Sequence, residues 1–237
     1  MELKLKLATI FTFLLFTINA FAYWPAGIHD PSTIIKCKDT YWIYGTGPGV
    51  KAMYSQDLVN WETGPSPFTG GSYPDWIKNH APKFDGFFWA PDCVFMNGKY
   101  YLYYSASEWG TKNSCIGVTV NETLDPNDPK YKWTDLGRVV SSGYSSNFNA
   151  IDAALTRDPV TKKVWFVYGS FNSAGIQVFE LDTISGKAKN ISTQKSIANN
   201  WVGGNNYMGE GATIFYKEGY FYLMMNFGGC CDGIKSS

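Results

Sequence analysis

Apolar and polar positions alternate in short blocks along most of the chain. Blocks of aromatic and β-branched residues are separated by turn signals, and no convincing helical period is present. The clearest turn signal is Asn97-Gly98, since Asn-Gly favours a two-residue β-hairpin turn. The pattern therefore predicts an all-β protein of short strands.

Four of these blocks share one layout, in which an acid leads a strand, a turn and a second strand. The leading acids are Asp30, Asp92, Asp152 and Glu210, which lie 62, 60 and 58 residues apart. The strand pairs read PSTIIKC and TYWIYGTG, CVFM and KYYLYYSAS, AALT and VWFVYGS, and GATIFYK and YFYLMMN. Third strands are expected at KAMYS, CIGVTV and GIQVFELD, and outer strands at LVNWE and KWTDLG. Four strands per unit at a fixed period predicts a β-propeller.

The period also predicts where the acids lie and how much of the propeller the chain holds. The first strand of each propeller blade lines the central channel, so the four acids are expected around one channel mouth. Counting from Asp30, the chain holds three full periods and about half of a fourth. We therefore expect a five-bladed propeller that is incomplete here, with about three and a half blades, through C-terminal truncation or a ring that does not close.

The N-terminal segment has the pattern of a secretory signal. Residues 1–22 have a basic start, an apolar core and the small-residue ending Ala20-Phe21-Ala22. The apolar run is too short for a comfortable membrane span. We predict a signal peptide at 1–22 and one propeller domain at 23–237, secreted to the extracellular space and not bound to a membrane.

The charge and amino-acid composition of the chain limit the classes of partner and metal site that we expect. The chain has 20 basic and 20 acidic residues, and this neutral balance argues against a nucleic-acid partner. Aromatic residues make up 17% of the chain, which fits either β-sheet packing or sugar-stacking surfaces. Export permits disulfides among the five cysteines, and no Cys/His zinc spacing is present, so no zinc site is predicted.

A cluster of carboxylates in a neutral secreted protein indicates calcium binding or glycoside hydrolysis. Calcium loops concentrate oxygen ligands in patterns such as Asp-x-Asp-x-Asp, and the chain has no such loop. Glycoside hydrolysis needs one protonated carboxyl group and one ionised carboxylate beside the scissile bond. A third carboxylate can raise the pKa of the acid by charge repulsion.

The order and spacing of nine motifs resemble glycoside hydrolase family 43, a family of five-bladed propeller enzymes that act on arabinan and xylan. Within this family the chain is most similar to the endo-1,5-α-L-arabinanases. The motifs extend from residue 29 to the GGCCDG near the end of the chain. They are HDPS (29–32), SQDLVNW (55–61), FWAPD (88–92), GKYYLYYSAS (98–107), SSNFNAIDAAL (145–155), YGSF (168–171), GIQVFELD (175–182), GEGA (209–212) and GGCCDG (228–233).

The resemblance implies roles for three of the acids. Asp30 is then the general base that activates water, Asp152 sets the pKa and orientation of the acid, and Glu210 is the general acid. The family inverts anomeric configuration, so the acid and the base are expected about 6.5–9.5 Å apart. Asp92 is not among the three acids of the family, and we expect it to bond backbone or a neighbouring blade.

The resemblance also implies substrate contacts. Trp89 and Phe171 are expected to stack on sugar rings and Asn149 to line the same cleft, although Trp89 is equally compatible with blade packing. His29 is expected either to touch substrate or a central water, or to be an ordinary histidine at a strand start. No cofactor is required for the chemistry, and a structural calcium ion at the channel centre is possible.

The function expected from this resemblance is inverting cleavage of internal α-1,5-L-arabinofuranosidic bonds in plant arabinan by a monomeric enzyme. One alternative is β-xylosidase or α-L-arabinofuranosidase activity on the same scaffold. Another is a catalytically impaired, sugar-binding propeller.

Overall fold

The computed structural model describes residues 27–170, 172–199, 201–202, 205–206 and 209–227. The described chain is almost entirely strand and loop, which confirms the all-β prediction. Its helical segments are two short 3-10 helices, Asp75–Asn79 and Ile191–Thr193. Residues 1–26, which include the expected signal peptide, lie outside the described residues.

The strands form four main sheets in chain order. Sheet I contains β1 (Ile35–Cys37), β2 (Thr40–Gly45), β4 (Lys51–Ser55) and β5 (Glu62–Gly64). Sheet II contains β3 (Gly47–Pro48), β6 (Phe87–Met96), β7 (Lys99–Ser107), β8 (Ser114–Asn121) and β9 (Thr134–Ser142). Sheet III contains β10 (Ala154–Arg157), β11 (Val164–Tyr168), β12 (Ile176–Asp182), β13 (Lys187–Ala188) and β14 (Lys195–Ala198). Sheet IV contains β17 (Gly209–Lys217) and β18 (Tyr220–Phe227), and β15 (Trp201–Val202) pairs with β16 (Asn205–Asn206).

The four predicted hairpins are all present, and three have tight turns that follow directly from the sequence. Lys38, Asn97 and Glu218 adopt positive φ angles of 54°, 50° and 50° at the first turn position. Gly98 and Gly219 follow two of them with φ angles of 75° and 89°. Left-handed backbone at the centre of a two-residue turn matches the twist of antiparallel strands. These turns therefore fix the antiparallel register of the first two strands of sheets I, II and IV.

The predicted outer strands differ from the observed ones. The expected strand LVNWE consists mostly of bends, and the outer strand of sheet I is Glu62–Gly64 instead. Asp57 explains the shift, because its carboxylate accepts hydrogen bonds from the backbone N–H groups of Val59 and Asn60. These bonds hold the segment in a local turn that competes with sheet pairing. The expected strand KWTDLG begins two residues late and continues to Ser142.

Side chains of successive sheets pack against one another to form the core. Leu102 and Tyr104 of β7 join a cluster with sheet I, whereas Tyr101 and Tyr103 join a cluster with sheet III. Successive residues of a strand point to opposite faces, so one central strand contributes to both clusters. A third cluster joins Val167 of sheet III to Ala212 of sheet IV. The sheets thus stack in chain order.

The first long strands of successive sheets lie beside one another at one edge of this stack. Contacts join β1 with β6, β6 with β10, and β10 with β17. The residues that precede or begin these strands are therefore brought together. No helix in the described part of the chain is long and apolar enough to span a membrane.

Candidate active site

A cleft of about 1880 Å³ opens where the first strands of the four sheets meet. Its wall includes all three acids with expected catalytic roles, Asp30, Asp152 and Glu210. The expected substrate contacts that lie in the described residues are also there, namely His29, Trp89 and Asn149. Phe171 lies outside the described residues, so its predicted role stays a prediction.

Asp30 lies in the loop before β1, with its side chain 40% exposed to the cleft. Its Oδ2 atom accepts a hydrogen bond of 2.5 Å from the hydroxyl of Thr46 and lies 2.8 Å from Nδ1 of His29. The Thr46 oxygen itself accepts a bond from the backbone N–H of Ala90, 2.9 Å away. That bond orients the hydroxyl proton toward Asp30. No described residue is hydrogen-bonded to Oδ1, which is free to face the cleft.

Asp152 lies two residues before β10 and has a left-handed backbone, φ 61°. The backbone N–H of Asp152 donates a hydrogen bond of 3.1 Å to the hydroxyl of Ser105 in sheet II. Its carboxylate Oδ2 accepts a bond from the backbone N–H of Gly211 in sheet IV, 3.0 Å away. Asp152 therefore joins sheets II and IV across the cleft floor.

Glu210 is the second residue of β17 and is half-buried. Its Oε2 atom accepts a hydrogen bond of 3.3 Å from the hydroxyl of Ser170, at the end of the neighbouring sheet III. The next residue, Gly211, has φ 60°, a conformation that favours glycine. The same glycine donates to Asp152, so a short backbone path links the two acids.

The electrostatics of the cleft favour the protonated forms of Asp152 and Glu210. The pKa of Asp152 is raised to about 7, mainly by burial and also by the charges of Glu210 and Asp30, while the Gly211 bond opposes the rise. Burial also raises the pKa of Glu210, with a further contribution from Asp30, while the Ser170 bond and His29 lower it. The stronger shift lies on Asp152, not on the expected acid Glu210. Because the two carboxyl groups repel each other, we treat them as a pair that titrates together.

Asp92 differs from the other three acids. It is 5% exposed, and its carboxylate accepts backbone bonds from Thr33, Cys93 and Leu155. The expectation that it bonds backbone is confirmed, and two of the partners belong to the neighbouring sheets I and III. All four acids border the cleft, as expected, but the carboxylate of Asp92 is bonded to backbone within the cleft wall.

Aromatic side chains also line the cleft. Trp89 is half-buried and meets Trp109 edge to face, with ring centroids 6.0 Å apart and planes at 77°. Trp109 is 76% exposed and Tyr144 is 94% exposed, and both border the cleft. Sequence reasoning missed Trp109, although the Glu-Trp-Gly loop after a predicted strand was a usable signal. It also missed Thr46 and Ser170, whose partners are distant in sequence.

Asn149 is 6% exposed, and its Oδ1 atom accepts a 2.8 Å bond from the Ser114 hydroxyl. This bond fixes the orientation of the amide at the cleft wall. In the described ranges, no group of three or more His, Cys, Asp or Glu residues is arranged to hold a metal ion. We derive no chemistry through an ion.

A family model and two named enzymes match most of the chain. The model of the family described as "Glycosyl hydrolases family 43" matches residues 25–237. The chain is 37% identical over 212 residues to the extracellular exo-alpha-(1→5)-L-arabinofuranosidase ArbA of Cellvibrio japonicus, covering 86% of this chain and 60% of that protein. It is also 37% identical over 223 residues to the extracellular endo-alpha-(1→5)-L-arabinanase 1 of Bacillus subtilis, covering 91% of this chain and 65% of that protein.

The structure is similar to a solved arabinanase. The alpha-L-arabinanase of Cellvibrio cellulosa complexed with arabinohexaose matches with a TM-score of 0.76 and 36% identity, over 86% of this chain and 66% of that one. The chain therefore spans a little under two thirds of the length of these relatives.

Proposed function

Since the chain belongs to glycosyl hydrolase family 43, we propose that it is an inverting glycoside hydrolase that cleaves internal α-1,5-L-arabinofuranosidic bonds of arabinan. The observation that carries the proposal is the meeting of Asp30, Asp152 and Glu210, from three separate sheets, in one large cleft. The pKa values of two of them are raised. Carboxyl groups whose environments separate their proton affinities are the requirement of glycoside hydrolysis.

In this mechanism Asp30 is the base. Its Oδ2 atom is held by Thr46 and lies beside His29, so Oδ1 is the oxygen that takes a proton from the attacking water. The water attacks the anomeric carbon from the face opposite the leaving group, which inverts the configuration. Asp30 is the most exposed of the three acids, which suits a group that must remain ionised.

Glu210 and Asp152 together supply the acid. The pair retains a proton toward neutral pH because burial and mutual repulsion disfavour two charges. We assign the transfer itself to Glu210, which protonates the leaving oxygen, and the control of its proton to Asp152. The Gly211 N–H bond keeps Asp152 close to the backbone that carries Glu210. The carboxyl separation of about 6.5–9.5 Å that inversion requires stays a prediction.

The proposal extends to the shape and setting of the enzyme. We propose a five-bladed propeller in which sheets I to IV belong to successive blades, as the similarity to arabinanase structures supports. The extracellular names of both relatives support secretion. The monomeric state and the central calcium ion remain proposals. Exo action on the same substrate is the second candidate, because the relative named as an exo-acting enzyme is as similar as the endo-acting one.

Product analysis tests the function. The purified chain is incubated with linear 1,5-α-L-arabinan and, separately, with xylan, and products are followed by chromatography and proton NMR. We expect a ladder of arabino-oligosaccharides whose new reducing ends appear first as the β anomer. Arabinose alone from chain ends would replace endo with exo action. No hydrolysis of arabinan, with xylan cleaved instead, would refute the substrate assignment, and the Asp30→Ala variant serves as the inactive control.

A further inference from the structure

The buried carboxylate of Asp92 has no part in the chemistry above, yet its bonds reach both neighbouring sheets. Oδ1 accepts a bond of 2.9 Å from the backbone N–H of Thr33, in the segment leading to β1. Oδ2 accepts a bond of 2.9 Å from the backbone N–H of Leu155, the second residue of β10. A third bond, 3.0 Å long, comes from the N–H of the next residue, Cys93.

The two distant partners occupy matching places in the fold. Thr33 lies three residues after Asp30, and Leu155 lies three residues after Asp152. Each bond therefore fixes the backbone just beyond an acid whose own backbone is left-handed, with φ 46° at Asp30 and 61° at Asp152. Such conformations persist only where the surroundings hold them. One carboxylate thus sets the spacing between the segments that present these two acids.

We propose that Asp92 is a positioning residue for the reaction, holding Asp30 and Asp152 at a fixed separation by clamping the backbone of sheets I and III. The proposal rests on the proposed function, because it assigns Asp92 a role through those two acids. Its position in sequence is consistent with this role, since Asp92 lies in the repeat unit between the units of Asp30 and Asp152.

The Asp92→Asn variant separates the bond to Thr33, before sheet I, from the bond to Leu155 in sheet III. An amide oxygen in place of Oδ1 keeps the bonds from Thr33 and Cys93. The amide NH₂ then faces the Leu155 N–H, so two donors oppose each other and that bond is lost. The reverse orientation of the amide loses two bonds instead of one. The variant is therefore expected to release mainly the segment that carries Asp152.

The expected result is a loss of turnover with a change in proton affinity. On linear arabinan we expect kcat to fall about tenfold or more with KM within about threefold, since substrate contacts are kept. Release of the segment admits water to Asp152, whose pKa is raised by burial and by the charges of Glu210 and Asp30. We expect the pKa of Asp152 in the variant to fall by about one unit, measured by ¹³C NMR of labelled aspartate side chains.

Two further variants serve as controls. Asp92→Glu keeps the negative charge but moves it by one methylene, so a similar loss shows that geometry and not charge is responsible. Asp158→Asn alters another buried aspartate, 8% exposed, whose carboxylate accepts a 2.8 Å bond from the backbone N–H of Val160. Asp158 does not border the cleft, so this variant is expected to lose stability but to keep kcat and the pKa of Asp152.

The experiments distinguish failure of the Asp92 proposal from failure of the proposed function. Asp92 variants that fold, unfold more easily and keep both kcat and the pKa of Asp152 overturn the proposal. Failure of both Asp92 variants to fold, while Asp158→Asn folds, also overturns it, since Asp92 is then structural only. If wild-type chain does not hydrolyse arabinan, the proposed function fails, but the NMR comparison still decides whether Asp92 controls Asp152.

Discussion

Replacement of Asp152 by asparagine is expected to stabilise the protein at alkaline pH and to leave its stability at acidic pH almost unchanged. Asparagine is close in shape to a protonated aspartate and can keep the Gly211 bond through its amide oxygen. It cannot ionise. The variant therefore removes only the cost of holding a charge in the floor of the cleft.

The magnitude follows from the shift in the pKa of Asp152 from 3.8 to about 7, for which burial is the main cause. The folded state binds the proton more tightly than the unfolded state, so the free energy of unfolding decreases as pH rises between these values. The slope is about 1.4 kcal/mol per pH unit, and the full cost above pH 7 is about 4 kcal/mol. Because water reaches part of the side chain, we expect Asp152→Asn to gain about 2–3 kcal/mol at pH 8.

Urea unfolding followed by tryptophan fluorescence at pH 4, 5.5, 7 and 8.5 measures this difference. Asp57→Asn is a control for which we expect the opposite change in stability. Backbone bonds from Asn60 and Val59 lower the pKa of Asp57, so this variant should lose stability at neutral pH and little at acidic pH. A gain for Asp152→Asn that is the same at every pH would refute the reasoning, as would a loss at pH 8.

Three further predictions concern turnover. Thr46→Val removes the hydroxyl bond to Asp30 and should lower kcat on arabinan about 10- to 100-fold, whereas Thr46→Ser should keep most of it. Glu210→Ala should lower arabinan hydrolysis about 10³-fold or more but affect a dinitrophenyl arabinofuranoside less than about tenfold, because that leaving group needs no acid. Trp109→Ala removes an exposed cleft aromatic and should raise KM for arabinan about five- to tenfold, with kcat little changed.

Each of these has an outcome that counts against it. Equal kcat values for the valine and serine variants at Thr46 would show that the hydroxyl does not orient the base. Equal losses of Glu210→Ala on both substrates would move the acid role elsewhere, with Asp152 as the next candidate. An unchanged KM for Trp109→Ala would mean that its ring does not meet the substrate, and Tyr144→Ala is the matched comparison on the same cleft.

The hairpins of the fold could be predicted because each depends on neighbours in sequence. Alternation of apolar residues and turns such as Asn97-Gly98 specify two adjacent strands without any distant contact. The outer strands were predicted less accurately, because their position in the chain depends on competition with local turns, as at Asp57. Packing of one sheet on the next depends on side chains about sixty residues apart, which a single sequence does not pair.

The residues of the candidate site also divide into those that the sequence predicts and those that it does not. Asp30, Asp152 and Glu210 were found by their repeat spacing and by family motifs. Thr46 and Ser170 were missed, because each matters through a contact with another sheet: Thr46 with Asp30 and Ala90, and Ser170 with Glu210. An isolated Thr or Ser in a β-rich chain carries no signal of that kind.

The different fates of the four acids follow from the backbone and not from their spacing. A left-handed residue recurs at the cleft near the first strand of each sheet: Asp30, Ala90, Asp152 and Gly211, which are 60, 62 and 59 residues apart. In sheets I and III the acid itself occupies this position. In sheets II and IV the acid lies two residues after it, at Asp92, or one residue before it, at Glu210.

The register of the strands supports this offset as the cause. Pairing of the first two strands shifts between Trp89 and Asp92 in sheet II and between Glu210 and Thr213 in sheet IV, so each strand has a bulge at its left-handed residue. A bulge re-aims the side chains beside it. Asp92, after its bulge, is turned toward backbone N–H groups of both neighbouring sheets, and Glu210, before its bulge, borders the cleft. One repeat thus supplies three acids with proposed catalytic roles at the cleft and a fourth, Asp92, whose carboxylate is bonded to the backbone of both neighbouring sheets.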